Sequence, residues 1–160
     1  MAEKKYLGYC GLYCGDCLGR TRVIADAASQ FLNVLDKYEF EKTALSVFPS
    51  QLSEYDNLID MLMFMENLHC TRLCRELDGG ESQCIVRECC VEHGYQVCSS
   101  CEDFETCENL DSILGSLHLE ACRRNLRGIN EMGLERWLVD GTRHHYWDRD
   151  NVTDDENGCC

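Results

Sequence analysis

Apolar residues recur at three- and four-residue spacing along several stretches of the chain, the period of a helix with one buried face. Between residues 21 and 40 the series is Ile24, Ala27, Ala28, Phe31, Leu35 and Tyr38. The stretch 41–51 has no clear period and holds the sole proline, Pro49, which marks a break. Ser53-Glu-Tyr-Asp56 is a loose capping signal for a second helix reaching Leu68. Leu58, Met61, Leu62, Met65 and Leu68 form its face, and Ile59, Met63 and Phe64 widen it, so this helix is expected to be the most buried. Asp78-Gly-Gly-Glu81 reads as a loop.

Ile85 to His93 reads as a short helix stopped by Gly94, a residue suited to a helix C-terminus. Two further helices are expected, one over 109–118 (Leu110, Ile113, Leu114, Leu117) and one over 119–130 (Leu126 and Ile129 inward). Gly133 then separates a segment in which Trp137 and Leu138 pack. Beyond Asp140 the period stops, and the polar, acidic residues 140–160 are expected to be a partly disordered tail. The predicted fold is mainly α: a small helical domain over 1–139 with cysteine-rich metal-binding loops and little or no β.

The cysteines change this picture most. There are 14 in 160 residues, a density explained by a disulfide framework or by metal ligation. Residues 1–14 contain no apolar signal region and no apolar run is long enough for a bilayer, so a cytoplasmic address without membrane attachment is expected. Thiols stay reduced there, which favours metal over disulfides. A net charge of −14, with all the lysines at or before Lys42, argues against nucleic-acid binding, which needs a basic surface.

Zinc takes four tetrahedral thiolate or imidazole ligands in a closed structural site. Cys98 and Cys101 form a CxxC knuckle, with Cys84 and Cys89 the nearest candidates to complete a shell. Cys10, Cys14 and Cys17, with Cys70, Cys74 or Cys107, could build a second site. Gly11 and Gly15 follow candidate ligands and suit the positive φ a knuckle uses. The CxxxCxxC spacing of residues 10–17 also suits an iron–sulfur cluster, the alternative cofactor. Cys90 and Cys122 fall on helix faces and read as small core residues. His69, His93 and His118 read as helix-end residues, and His144-His145-Tyr146-Trp147 as aromatics docking the tail, with an accessory ligand site as the other reading.

No nucleophile elbow, zinc-protease or phosphate-loop motif occurs, so catalysis is not expected, although an open zinc position would allow a small zinc enzyme. A protein or small-molecule partner is left undefined by the sequence.

The run Cys10-Gly-Leu-Tyr-Cys14-Gly-Asp-Cys17, then Cys84-x-x-Arg87-x-Cys89, then Cys98-x-x-Cys101-x-x-Phe104 and Cys107, resembles the cysteine-rich prokaryotic family called domain of unknown function 3795. The resemblance covers roughly residues 8 to 110 and implies metal binding, with zinc the expected ion and no established role. The chain departs from the family pattern in the three-residue gap between Cys70 and Cys74, in Val86, and in Glu105-Thr106 before Cys107.

Overall fold

The computed structural model describes residues 3–76 and 84–148, so Asp78–Glu81 and the tail beyond Asp148 lie outside the described residues. The chain is mostly helical, and its described residues contain no β-strand, only an isolated bridge between Leu7 and Tyr13. No helix among them is long and apolar enough to cross a membrane. The chain divides into two compact units, residues 16–71 and residues 1–15 with 72–160.

The unit of residues 16–71 holds α1 (Leu18–Thr21), α2 (Val23–Lys37), α3 (Phe40–Val47) and α4 (Tyr55–Glu66). Asp26 in the first turn of α2 and Lys37 in its last complement the helix dipole. Arg22 Nε bonds Asp26 Oδ1 at 3.2 Å across that first turn. Ala25, Ala28 and Leu35 are the buried residues of α2, and Ala28 and Leu35 meet Leu62 of α4 in a small core. Ser29 Oγ donates to Glu66 Oε1 at 2.7 Å and fixes the register of the two helices.

The expectation that α4 is the most buried helix is corrected. Only Tyr55 and Leu62 are buried on it, while Met61, Met63 and Phe64 stay exposed. Ile24, Phe31 and Tyr38 of the α2 region are exposed too. A helix pair buries one stripe of each helix, so a sequence apolar all round cannot all be covered.

The other unit holds α5 (Ile85–Glu92), α6 (Glu108–Met132) and α7 (Leu134–Asp140), with 3-10 turns at Lys4–Tyr6, Cys98–Ser100 and Phe104–Thr106. Its core is Leu7, Tyr13, Val86, Val97, Phe104, Leu110, Leu126, Ile129, Trp137 and Leu138, with Cys90 and Cys98 among them. Gly94 has φ +68° just past α5, as its position predicts. Leu117 is exposed, contrary to expectation, and the side chains of Ile113 and Leu114 lie outside the described set.

The two helices expected over 109–130 are one hydrogen-bonded helix, α6. Arg123 nevertheless bonds Asp111 at 2.6 Å. Twelve residues of straight helix rise about 18 Å, beyond the combined reach of these side chains. The helix is therefore not straight between Asp111 and Arg123.

Asn125 sits fully buried at the centre of this unit. Its Nδ2 donates to the carbonyls of Gly11 and His144, both at 3.0 Å, and its Oδ1 accepts from His144 N–H at 2.7 Å. One side chain thus ties the N-terminal turn and the residues after α7 to α6. Gly11 has φ +89°, and a Cβ there would lie 2.8 Å from the Cys122 carbonyl oxygen and from Leu126 Cγ. Only glycine admits both that backbone and that approach.

Asn125→Ala leaves buried carbonyl and N–H groups without partners, at about 1–3 kcal/mol for each group. Chemical denaturation is expected to show a loss of about 2–3 kcal/mol. Hydrogen exchange should show the His144 amide losing protection while α2 amides keep theirs. An unchanged midpoint would remove Asn125 from this role.

Candidate functional site

All twelve described cysteines are free thiols. Ten belong to the unit built on α5–α7, and Cys17 and Cys70 belong to the other. Within that second unit, Cys17 precedes α1, and the exposed Cys70 donates its N–H to the Gly19 carbonyl at 2.9 Å. Arg20 caps the same end by reaching the Cys70 and Thr71 carbonyls at 3.3 Å.

The N-terminal turn is stitched to the knuckle by Cys98 N–H, which donates to the Tyr9 carbonyl at 2.9 Å. Arg75 clamps the same place, donating to the carbonyls of Leu7 and Gln96 at 2.5 Å and lying over the Tyr9 ring at 4.2 Å. Gly15 does not take the positive φ expected of it; a Cβ there would strike the Tyr13 ring at 2.5 Å. Close packing, not backbone conformation, explains that glycine.

Two thiol pairs lie at the heart of the unit. Cys90 Sγ and Cys98 Sγ are 3.6 Å apart and buried. That contact, with burial, pushes the Cys98 thiol up, and the same contact pulls the Cys90 thiol down. A side-chain hydrogen bond with Cys122 on α6 pulls the Cys10 thiol down to about 7 against the opposing effect of burial. Cys122 is raised in return, by that bond and by burial.

The remaining thiols of this unit are half-buried around the pairs. Cys74 is raised by burial first, and then by the charges of Cys10 and Cys84. Cys89 is raised by burial first, then by Cys90, Cys107 and Cys101. Cys74 thus feels Cys10 and Cys84, Cys89 feels Cys101 and Cys107, and Cys98 feels both Cys10 and Cys107. Cys101 closes the 3-10 turn of Cys98–Ser100, donating its N–H to the Cys98 carbonyl at 2.9 Å. Cys107 precedes α6, and its carbonyl accepts from Leu110 and Asp111.

Among the described residues, no three His, Cys, Asp or Glu side chains stand arranged to hold a metal ion. The donor chemistry itself suits a borderline-soft cation: free thiols on short turns, several half-exposed.

The histidines keep structural places. His93 follows α5 with Nδ1 2.9 Å from the Cys89 carbonyl and stacks on Tyr95. His69 is exposed. His118 meets the Tyr146 ring edge-on at 4.8 Å. His145 is buried and stacks on Trp147 at 4.3 Å, with its N–H donating to Asp148 Oδ2 at 2.7 Å. The 144–147 segment is thus docked by aromatic packing and by Asn125.

The spacing of the sequence missed Cys90 and Cys122 as sulfur partners. The Cys89-Cys90 doublet is a faint signal for the first. Nothing local signals the second, which lies far along the chain from Cys10.

Residues 6–112 match the family model described as "Protein of unknown function (DUF3795)". The chain belongs to this family. No curated protein and no solved structure matches it. The DUF3795 match spans all ten candidate ligands, Cys10 to Cys107, and ends within α6. Cys122, Asn125 and α7 lie past it.

The loop between Cys101 and Cys107 is pinned to α6 by a two-pronged ion pair: Arg127 Nε to Glu105 Oε1 at 2.6 Å and Arg127 Nη2 to Glu105 Oε2 at 2.8 Å. The hydrogen bonds from Arg127 hold the Glu105 carboxyl below the usual range. A carboxylate with a lowered folded pKa contributes stability above its unfolded pKa and loses it as pH falls through the folded value. The pair is 42% and 41% exposed, so the contribution is small. Carboxyl-detected NMR titration should find Glu105 below an ordinary glutamate, and Arg127→Gln should return it to the ordinary value. A Glu105 titration unmoved by that change would show that the bridge does not form in solution.

Proposed function

We propose that this DUF3795 protein is a metal-binding module in which cysteine thiolates hold zinc and pin short turns to helices that present an interaction or ligand surface. One observation carries the reading. Half-buried free thiols from the N-terminal turn (Cys10), the residue before α5 (Cys84) and the start of α6 (Cys107) pack against one small core, with no disulfide among the described cysteines.

Crowded thiols of this kind repel one another once ionised, and a dication removes that repulsion. The ligand set best supported is Cys89, Cys101 and Cys107, followed by Cys10, Cys74 and Cys84. Cys14, Cys17, Cys70 and Cys98 complete the set of candidates. Because these thiols sit at turns and helix ends, side-chain rotation can bring them into a tetrahedral shell. Zinc bound this way supplies cross-linking rather than redox chemistry. An iron–sulfur cluster is the second reading, carried by the CxxxCxxC run of residues 10–17. A zinc enzyme is a weaker third, because it needs three ligands facing an open position.

Metal content and absorbance of the full chain purified without oxygen test the proposal. One or two zinc ions per chain and no visible colour are expected. Cys101→Ser or Cys107→Ser should lower the zinc content by about one ion. Cys90→Ala, a core change, should leave it unchanged. Iron with acid-labile sulfide would replace the zinc reading by the cluster reading, and metal-free protein with reactive thiols would overturn both.

A further inference from the structure

The unit of residues 16–71 contains an open cavity of about 600 Å³ between α2, α3 and α4. Its size falls within the range of small-molecule sites. It shares no residue with the thiol clusters, so a ligand bound there is independent of the proposed metal.

Apolar side chains line one part of the cavity: Leu32, Leu35, Phe40, Tyr55 and Ile59. The Phe40 and Tyr55 rings lie 6.1 Å apart at 49°. The polar lining is of one sign. Asp36, Glu39, Glu41 and Glu66 face a single cation, Lys42, whose Nζ is bonded to Glu39. Glu66 accepts a hydrogen bond from the Ser29 hydroxyl at Oε1 and keeps its second oxygen. Tyr55 is only 5% exposed, yet its hydroxyl makes no hydrogen bond to the described residues. The hydroxyl keeps its own access to solvent and is open to a ligand donor.

These features ask for different parts of one molecule. The apolar wall takes a hydrocarbon body. The aromatic faces and surplus carboxylates take a cation. The idle hydroxyl takes an N–H donor. We propose that this cavity is a binding site for a small amphipathic organic ammonium, a primary amine carried on an apolar or aromatic body.

The ammonium would sit by the Tyr55 hydroxyl and the carboxylates of Asp36 and Glu41, with its body against Leu32 and Ile59. Burial, then the charges of Glu41 and Asp56, push the Tyr55 pKa up, so its hydroxyl stays neutral and able to accept an N–H. A bare metal ion would meet too much hydrocarbon here, and an anion would meet repulsion.

The test uses 4-phenylbutylammonium and its neutral counterpart 4-phenyl-1-butanol on the full chain, followed by calorimetry and amide NMR. The amine is expected to saturate one site and to bind at least about tenfold more tightly than the alcohol, with shifts centred on Leu32, Phe40 and Ile59. Asp36→Asn with Glu41→Gln should weaken the amine about tenfold and leave the alcohol unchanged. Tyr55→Phe keeps the ring and removes only the hydroxyl, so the fold is retained and amine affinity should fall several-fold. Equal binding of amine and alcohol, no saturable amine binding, or shifts centred outside α2–α4 would each overturn the proposal.

Discussion

The unit that carries most of the cysteines depends on one close approach, the N-terminal turn at Gly11 lying directly against α6. No side chain fits between that turn and the Cys122 carbonyl or Leu126. The approach lets Asn125 bond the Gly11 carbonyl and places Cys10 within reach of the Cys122 thiol. The same turn accepts the Cys98 N–H at Tyr9 and is held from the other side by Arg75. Separate the turn from α6 and Cys10 would lose Cys122 and Asn125 would lose the Gly11 carbonyl.

Around that contact the thiols divide by exposure, and exposure decides what each can do. Cys90, Cys98 and Cys122 are buried free thiols, with the Cys90 and Cys98 sulfurs 3.6 Å apart. Cys89, Cys101 and Cys107 stay half-buried, the first on α5 and the other two at turns. The CxxC pair is thus split between roles: Cys98 faces the core and Cys101 the edge. The Arg127–Glu105 bridge then holds the loop between Cys101 and Cys107 against α6.

The unit of residues 16–71 is organised differently. Its described residues include no such buried polar centre, and its helices meet through Ala28, Leu35 and Leu62. Small alanines let α2 and α4 come close on one stripe and leave large apolar side chains outside it. The cavity opens beside that stripe, where Phe40 and Tyr55 spread from different helices.

Helical class, the positions of α2 and α5, the break near Pro49 and the stop at Gly94 were legible in the sequence, because period, capping and glycine act over a few residues. The inward positions of Leu126, Ile129, Trp137 and Leu138 followed from the same period. So did the gathering of cysteines between Cys84 and Cys107, where short spacing forces proximity. Other features depended on which surfaces meet, and period cannot report that. The wide apolar pattern of α4 marked it as buried, but too few neighbours cover it. The apolar positions on either side of residue 119 read as two helices, yet α6 runs through as one. Cys10 with Cys122, and Asn125 between Gly11 and His144, join residues far apart in the chain. Only tertiary packing brings such partners together, because no local rule relates their positions.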